Sequence, residues 1–328
     1  MRVEKQTKQM KPNRLITISL LIITINISAQ NIDSLIHSNK IKTINQLVDV
    51  LNGCSLDDSV KIRGAYIWIT DNIRYDLVKM KKNKPQTQSF TYSDQRELED
   101  MEKKYKLNQA EQTVKKKKGV CEDYSNLLAQ ICEQLNIECK VVTGYAKTKP
   151  SEIGMHIKTT NHAWNIVKIN NRWRLIDATW GAGYIDDRTD KWKKSFNDFY
   201  FFTDPLQLSY SHFPEDSTCL FLNVGFSKQD FSDLPIFYDP FFKQNFSLIQ
   251  PGKGLIKAHT GEKIIFILKN QNKNHRLAYS LNNDKTSTLI KQDNDIIEFE
   301  VSFKEPISTV LTIFSDENAV LSYKIEIK

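Results

Sequence analysis

The feature that most limits the fold of this chain is a pair of β-type runs joined by two asparagines. The first run, His162 to Ile169, is HAWNIVKI, and the second, Arg172 to Thr179, is RWRLIDAT. Asparagine tolerates a positive φ, so Asn170-Asn171 between two alternating runs predicts a β-hairpin with a two-residue turn. This part of the chain is therefore expected to form an antiparallel sheet.

Helical patterns precede this hairpin. Apolar residues recur at helical spacing in residues 41–51, and Asp57-Asp58 caps a second predicted helix from Ser59 to about Ile73. A buried helix is predicted from Cys121 to Leu135, followed by a strand from Glu138 to Tyr145. Helices first and antiparallel strands afterwards are typical of an α+β fold rather than of alternating βαβ units.

From about Gly252 the chain changes to short β-type runs separated by polar turns. The runs are KIIFILK, RLAYSL, IIEFEV, STVLTIF and VLSYKIEI, and the turns include Asn282-Asn283-Asp284 and Asp293-Asn294-Asp295. Evenly spaced short strands predict a small β-sandwich of the immunoglobulin-like kind, which we place at residues 246–328. It offers no candidate active group, so we interpret it as a binding or packing module.

Residues 79–118 are polar and charged, with the lysine-rich runs KMKKNK and KKKK. We interpret this stretch as an insertion in a domain that spans residues 30–245, with a helix around Asp94 to Tyr105. A solvated surface is the expected role of such basic runs, and a positive rim that favours acidic substrates is the alternative.

The first 29 residues are typical of a secretory signal peptide. Basic residues lead into an apolar run from Leu15 to Ile27, and small residues near Ala29 provide a cleavage site. The run is short for a membrane span of about 20 apolar residues, so cleavage is favoured over an uncleaved anchor. We therefore expect a secreted or periplasmic bacterial protein with no membrane span after cleavage.

The net charge does not point to a nucleic-acid partner. The chain carries a formal charge of +7, and the basic residues of the predicted signal peptide account for more than half of it. The remaining excess is too small to predict nucleic-acid binding, although binding of anionic glycans through the lysine runs is a weaker alternative. With 40% hydrophobic residues, the chain has enough apolar side chains for packed cores.

Five cysteines leave at least one thiol unpaired in an exported protein. Cys132 and Cys139 lie among apolar residues, where a cysteine most often behaves as a small buried hydrophobe, and a disulfide is the alternative. The sequence alone leaves the pairing of Cys54, Cys132, Cys139 and Cys219 open. Cys121 differs because it opens a predicted helix, where free N–H groups and the helix dipole favour the anionic thiolate.

The hairpin provides a base for that thiolate. Counting back from a two-residue turn places Asp177 opposite Trp164. Because side chains on one face repeat every second residue, His162 is then a diagonal neighbour of Asp177 on the same face. A carboxylate there can hold one imidazole nitrogen and leave the other for the thiol. A nucleophile, a base and an orienting acid in this order predict covalent acyl transfer by Cys121, His162 and Asp177.

The segments around these residues resemble the transglutaminase-like superfamily, which has a papain-like fold. GVCEDYSNLLAQICEQLNIECKVVTGYAK resembles its cysteine segment, and NHAWNIVKINNRWRLIDATWGAG resembles its histidine and aspartate segments. AYIWITDNIRYD upstream and FYFFTDPLQLSYSHFPED downstream are most similar to the kyphoscoliosis-peptidase-like group. The resemblance covers about Leu47 to Phe241. It implies a helix that bears the nucleophile Cys121, packed on an antiparallel sheet, with His162 as the base and Asp177 as the orienting acid.

Further residues near the predicted site have open roles. The backbone N–H of Cys121 is one donor for a developing oxyanion, and Tyr75 or Asn161 is a candidate for the second. His212 lies far along the chain, so local packing is its expected role.

Three tryptophans flank the hairpin, and core packing is their expected role, with walls of an acyl-binding groove as the alternative: Trp164, Trp173 and Trp180. The sequence has no zinc-type spacing of histidines, cysteines and carboxylates, no calcium loop and no phosphate-binding glycine motif. We therefore predict neither a metal nor a cofactor.

These observations predict an exported cysteine-dependent acyl-transfer enzyme, and we favour a peptidase or amide hydrolase that acts through a thioester on Cys121. Its predicted partner is a peptide or protein substrate, such as a component of the cell wall or envelope. A protein cross-linking transglutaminase is one alternative, in which an amine replaces water as the acceptor. A non-catalytic envelope-binding scaffold is the other, and the intact triad argues against it.

Overall fold

The computed structural model describes residues 32–328 apart from 55–56, 83–88, 156–157, 187–188, 223–224, 273, 283–286 and 293. The predicted signal peptide at residues 1–29 lies outside this part of the chain and stays a prediction. Within the described residues, no helix has the length and apolar character needed to cross a bilayer.

Helices dominate the first part of the described chain. They are α1 (residues 32–38), α2 (Ile44–Gly53), α3 (Asp58–Asn72), α4 (Leu77–Lys82), α5 (Gln95–Lys116) and α6 (Cys121–Gln134). The side chains of Thr43 and Asp57 accept hydrogen bonds from the first turns of α2 and α3, which fixes where both helices begin. The helices predicted in residues 41–51 and 59–73 are thus confirmed within a few residues.

The predicted insertion at residues 79–118 is closed at its base by two short parallel strands, β1 (Arg74–Tyr75) and β2 (Lys118–Gly119). Most of it is the long helix α5, which continues well past the predicted end at Tyr105. Only the C-terminal part of α5 is buried, where Ala110 and Val114 join the same core as α6.

The strands after α6 are β3 (Cys139–Ala146), β4 (His162–Ile169), β5 (Arg172–Ile176), β6 (Gly183–Asp186), β7 (Lys191–Lys194), β8 (Phe201–Thr203) and β9 (His212–Pro214). Five of them form an antiparallel sheet in the order β8-β5-β4-β3-β9, and β6 and β7 form a separate hairpin. Helix α6 packs against β3 and β4, so the predicted arrangement of a helix on an antiparallel sheet is confirmed.

The β4–β5 hairpin has the predicted turn and register. Asn170 and Asn171 both have a positive φ, and Ile169 pairs with Arg172. The prediction that the second strand runs to Thr179 is wrong, because β5 ends at Ile176 and α7 (Ala178–Ala182) follows. The cause is local, because Asp177, which lies between β5 and α7, caps the helix with its side chain.

The sheet separates two apolar clusters. On one face, Val167 and Ile169 of β4 pack with the apolar residues of α2, α3 and α6 in the largest core of the described chain. Trp164 and Ile166 alternate with them along β4 and pack on the other face with Leu175 and residues that follow β7.

The C-terminal part is a β-sandwich. Two short helices, α8 (Pro205–Ser209) and α9 (Lys228–Asp233), lie before it, and a third, α10 (Asp239–Lys243), follows its first strand. Its strands are β10 (Ile236–Phe237), β11 (Ser247–Gln250), β12 (Leu255–Ala258), β13 (Ile264–Lys269), β14 (Leu277–Leu281), β15 (Thr288–Ile290), β16 (Ile296–Val301), β17 (Ile307–Ser315) and β18 (Asn318–Ile327). One sheet has the order β10-β18-β17-β14-β15, with β12 also paired to β18, and the other has the order β11-β13-β16.

All five predicted strand runs of the sandwich are present, as β13, β14, β16, β17 and β18. The sandwich core begins earlier than the predicted boundary at residue 246, because Phe237 and Phe241 pack in it and β10 pairs with β18. The fold is thus α+β, with a strand-rich C-terminal region.

Candidate active site

Helix α6 presents Cys121 as its first residue, and the thiol is half-buried. The approach to the helix requires glycine at position 119, since a Cβ there would lie 2.5 Å from the Cβ of Asp123. The first N–H groups of a helix lack partners within the helix and carry its positive dipole end. Cys121 therefore sits where a negative charge is stabilised.

Asp123 is two residues further on, and its negative charge is compensated. Its carboxylate accepts a hydrogen bond from the Val120 backbone N–H at 2.8 Å, which caps the helix. Both carboxylate oxygens also lie 2.8 Å from the Nζ of Lys79, which comes from α4 in the predicted insertion. Lys79 of the insertion thus stabilises the start of α6 and reduces the repulsion between Asp123 and a thiolate.

His162 and Asp177 meet at one end of the sheet. His162 is the first residue of β4, and its Nε2 lies 2.7 Å from Oδ2 of Asp177. Oδ1 of Asp177 accepts from the backbone N–H groups of Thr179 at 2.8 Å and Trp180 at 3.0 Å. The predicted contact is therefore present, but Asp177 makes it as the cap of α7 and not as a residue of β5.

The charges of this pair reinforce each other. Burial opposes protonation of His162, but the Asp177 carboxylate and a hydrogen bond with the Cys121 thiol outweigh it and raise the pKa of His162 to about 10. Burial also opposes ionisation of Asp177, yet His162 and His212 hold the pKa of this carboxyl well below its usual range. Since Nε2 of His162 faces Asp177, Nδ1 is the nitrogen left for Cys121.

His212 is the residue that sequence reasoning missed. Its Nε2 lies 3.0 Å from the same Oδ2 of Asp177, and its side chain is fully buried. The expectation that His212 only packs locally is wrong. The physical reason is the strand order, in which β9 pairs with β3 and brings His212 to the end of the sheet where β4 begins. No local pattern in the sequence indicates that pairing.

The two candidates for a second oxyanion donor differ in the structure. The amide of Asn161 donates to the Ala146 carbonyl at 2.9 Å and accepts from the Ala146 N–H at 2.7 Å, so it fastens the end of β3. The Tyr75 hydroxyl forms a hydrogen bond with the Cys121 thiol, and burial together with the nearby Cys121 raises the pKa of Tyr75 well above its usual value. Tyr75 is therefore a neutral donor beside the nucleophile.

The three tryptophans differ in exposure and contacts. Trp173 lies under the ammonium groups of Lys140 and Lys168. Trp164 and Trp180 both adjoin the two histidine rings, and the centroids of Trp180 lie 5.6 Å from His162 and 4.4 Å from His212. Because Trp164 is fully buried and Trp180 is half-buried, Trp180 is the tryptophan placed to line a substrate groove.

His162, Asp177 and His212 also form the one described group whose donor atoms are close enough together to hold a metal ion. Their contacts are accounted for by hydrogen bonds, since both Nε2 atoms point at the same carboxylate oxygen. A histidine must be deprotonated to bind a metal, and the raised pKa of His162 opposes that. The group therefore fits a proton-holding role better than a metal-binding one.

Comparison with known proteins connects this site to a family. Residues 46–178 match the model of the transglutaminase-like superfamily, a range that contains Cys121, His162 and Asp177. Kyphoscoliosis peptidase of Mus musculus is 28% identical over 225 residues, which are 68% of this chain and 31% of that protein. The Homo sapiens protein of the same name is 26% identical over the same shares. The chain thus spans about a third of the length of these relatives.

A solved structure described as "Crystal structure of a TGase" aligns with 58% of this chain and 39% of that one, at 18% identity and a TM-score of 0.29. That overlay is too weak to add to the assignment. The family match and the observed helix-on-sheet architecture agree without it. This chain therefore contains a domain of the transglutaminase-like superfamily, at residues 46–178.

Proposed function

We propose that this chain is a cysteine-dependent acyl-transfer enzyme, a peptidase or amide hydrolase that works through a thioester on Cys121. The observation that carries the proposal is the chain of contacts from the half-buried Cys121 thiol through His162 to the buried Asp177 carboxylate. Buried ionisable groups reduce stability unless they are paired, so a linked set of them beside an accessible thiol is typical of an active site.

The first step is acylation. His162 holds the proton that Cys121 loses, and the thiolate sulfur attacks the carbonyl carbon of an amide. The carbonyl oxygen becomes an oxyanion, for which the Cys121 backbone N–H and the Tyr75 hydroxyl are the nearby donors. When the intermediate collapses, Nδ1 of His162 gives its proton to the leaving amine, and the acyl group stays on sulfur as a thioester.

The second step is deacylation. Neutral His162 takes a proton from a water molecule, whose oxygen attacks the thioester carbonyl carbon. Collapse of this intermediate releases the carboxylic acid and returns the sulfur to its thiolate form, with the proton on His162. Asp177 keeps the imidazole oriented and stabilises its charge in both steps.

The acceptor separates hydrolysis from cross-linking. If a primary amine replaced water in the second step, the product would be a new amide. The name of the kyphoscoliosis peptidases supports hydrolysis. The predicted signal peptide supports action outside the cytoplasm, on a peptide or protein substrate of the cell wall or envelope.

The test is the rate of Cys121 alkylation by iodoacetamide as a function of pH, followed by peptide mass spectrometry in the parent chain and in His162→Ala. We expect the parent rate to stay high well below the ordinary thiol pKa of about 8.5. Without the imidazolium, the rate near pH 6 should fall by at least about ten-fold.

Cys219 is an internal control, because burial raises the pKa of its thiol and its rate should be low in both proteins. If Cys121 follows an ordinary thiol profile in parent and variant alike, the enzyme proposal fails and a binding scaffold takes its place. With a reactive Cys121, cleavage of fluorescent casein supports hydrolysis, whereas incorporation of a fluorescent amine into casein supports cross-linking.

A further inference from the structure

The Asp177 carboxylate is saturated with hydrogen-bond donors. Oδ1 accepts from the N–H groups of Thr179 and Trp180, and Oδ2 accepts from the Nε2 atoms of His162 and His212. Two oxygens thus receive four hydrogen bonds in a site where the carboxylate has no exposed surface. The N-cap contacts explain the first oxygen, but a nucleophile–base–acid triad requires only one histidine on the second.

The contacts of His212 and its burial together indicate its protonation state. An ionised carboxylate only accepts, so Nε2 of His212 carries a proton. The Ser211 hydroxyl lies 2.8 Å from Nδ1 of His212 and 3.3 Å from the Leu208 carbonyl, and Nδ1 is the nearer acceptor for its proton. Burial lowers the pKa of His212, and the His162 ring 5.2 Å away opposes a second positive charge; together they outweigh the Asp177 carboxylate and the Leu208 carbonyl, which favour the charged ring. His212 is therefore neutral, whereas His162 is charged.

Two tryptophan rings and a strand pairing hold the ring of His212 in place. Trp180 lies against it at 4.4 Å between centroids, and Trp164 meets it edge to face at 5.2 Å. Its backbone pairs with Ala146 in the sheet. The Nε2–H group is thus a fixed donor that needs no rearrangement during a reaction.

A neutral donor at this point has a specific consequence. A buried carboxylate that lacks one of its donors gains proton affinity, and the nearest proton is the one on Nε2 of His162. Moving that proton to Asp177 would neutralise the imidazolium that pairs with the thiolate. A cation in place of His212 would also stabilise Asp177, but it would repel the charge on His162.

We propose that His212 is a positioning residue: its neutral Nε2–H keeps Asp177 ionised, and thereby keeps the proton on His162 and the thiolate on Cys121. The inference rests on the proposed acyl-transfer function, because it assigns His212 a part in the same site.

The test compares His212→Gln with His212→Met in the full chain. The two side chains have similar length and volume, but only glutamine places an N–H donor where Nε2 of His212 lies. We expect the midpoint of the pH profile for Cys121 alkylation to rise by about one unit in His212→Met, which lowers the rate about ten-fold at pH values below both midpoints. His212→Gln should keep the parent midpoint.

The outcomes separate this inference from the proposed function. If the parent itself shows an ordinary thiol profile, the proposed function fails first. If the parent is reactive and His212→Met keeps its profile, or both variants lose reactivity equally with an intact circular dichroism spectrum, the positioning role is overturned.

A second measurement covers the case in which His212→Met does not fold. In the parent labelled with ¹⁵N-histidine, the signal absent from His212→Gln should be that of a neutral imidazole protonated on Nε2 near neutral pH. An imidazolium, or a ring protonated on Nδ1, would overturn the inference.

Discussion

Two histidine–aspartate pairs in this molecule have almost the same contact distance but different surroundings. His162 Nε2 lies 2.7 Å from Asp177 Oδ2 at the candidate active site, and His275 Nδ1 lies 2.5 Å from Asp316 Oδ2 in the sandwich. The first pair is almost completely buried, whereas the Asp316 side chain is 45% exposed in the turn between β17 and β18.

Burial changes what the same contact does. The hydrogen bond from His275 lowers the pKa of Asp316, but water surrounds this carboxylate and screens its charge. Asp177 is shielded from water and depends on four protein donors, and its charge raises the pKa of His162 to about 10. A histidine–aspartate contact therefore indicates an active site only where burial and the remaining donors fix the charge state.

The wider surroundings differ in the same way. From residue 246 onward, the buried polar side chains that the structure describes are all uncharged: Asn270, Ser280, Thr309, Thr312, Ser315 and Ser322. The five-stranded sheet and its edges bury side chains that can carry a charge near neutral pH: Lys147, His162, Asp177 and His212. Because buried charge reduces stability unless paired, this contrast supports placing the proposed chemistry in the first region.

The largest effect is expected from Asp177→Asn, with Asp316→Asn as its matched control. An asparagine Nδ2 donates where Oδ2 accepted, so His162 Nε2 must become an acceptor and the imidazolium is lost. We expect alkylation of Cys121 near pH 6 to fall about 100-fold. Asp316→Asn should leave this rate unchanged. Equal effects of the two substitutions would break the comparison between the buried and exposed pairs.

The pH dependence of stability sharpens the comparison further. The pKa of His162 is raised on folding, so its contribution to the free energy of unfolding is full below about pH 6.5 and is lost as the pH rises to about 10. The pKa of Asp177 is lowered, so its contribution is present above about pH 3.9 and is lost in more acidic solution.

Urea unfolding of His162→Gln and His275→Gln between about pH 7 and pH 10 measures this contribution. In the parent, this contribution should lower the free energy of unfolding by on the order of a few kcal/mol over this range. In His162→Gln that decline should be absent. His275→Gln should keep the parent slope. A parent slope that survives in His162→Gln would show that His162 is not protonated in the folded state.

The smallest effect is expected from Lys147→Met, which separates buried charge from chemistry within the same sheet. The Nζ of Lys147 donates to the carbonyls of Phe231 at 2.7 Å and Leu234 at 2.6 Å, at the end of α9. Removing it leaves these carbonyls without that donor, so we expect a loss of about 2 kcal/mol in the free energy of unfolding.

The alkylation profile of Cys121 should not change in Lys147→Met. Lys228→Met is the control, since this half-buried lysine places its ammonium over the Tyr145 ring and should contribute less to stability than Lys147. Slower alkylation of Cys121 in Lys147→Met would show that the functional region extends along the sheet towards α9.

Local patterns were sufficient for much of the fold and part of the site. The Asn170-Asn171 turn fixes the register of β4 and β5, and Gly119 before Cys121 marks the start of α6. The strands β13, β14 and β16 to β18 were likewise predicted from the alternation of apolar and polar residues along each run. Each of these features depends on residues within a few positions of one another.

The end of β5 shows where local patterns compete. The alternating run continues to Thr179, but Asp177 also has a side chain that can cap a helix. Its hydrogen bonds to the backbone N–H groups of Thr179 and Trp180 start α7, so the strand ends before it. The contact with His162 survives because the cap position still directs the second carboxylate oxygen to the start of β4.

By itself, the sequence determined the β4–β5 hairpin, the helix that Cys121 opens and the residue types at the candidate site. Only the tertiary structure decided that His212 shares Asp177 with His162, that Lys79 compensates Asp123, and that β10 joins the sandwich. The physical reason is separation along the chain. Turn chemistry and strand alternation act between neighbours, whereas these contacts depend on the order of strands and on which distant elements pack together.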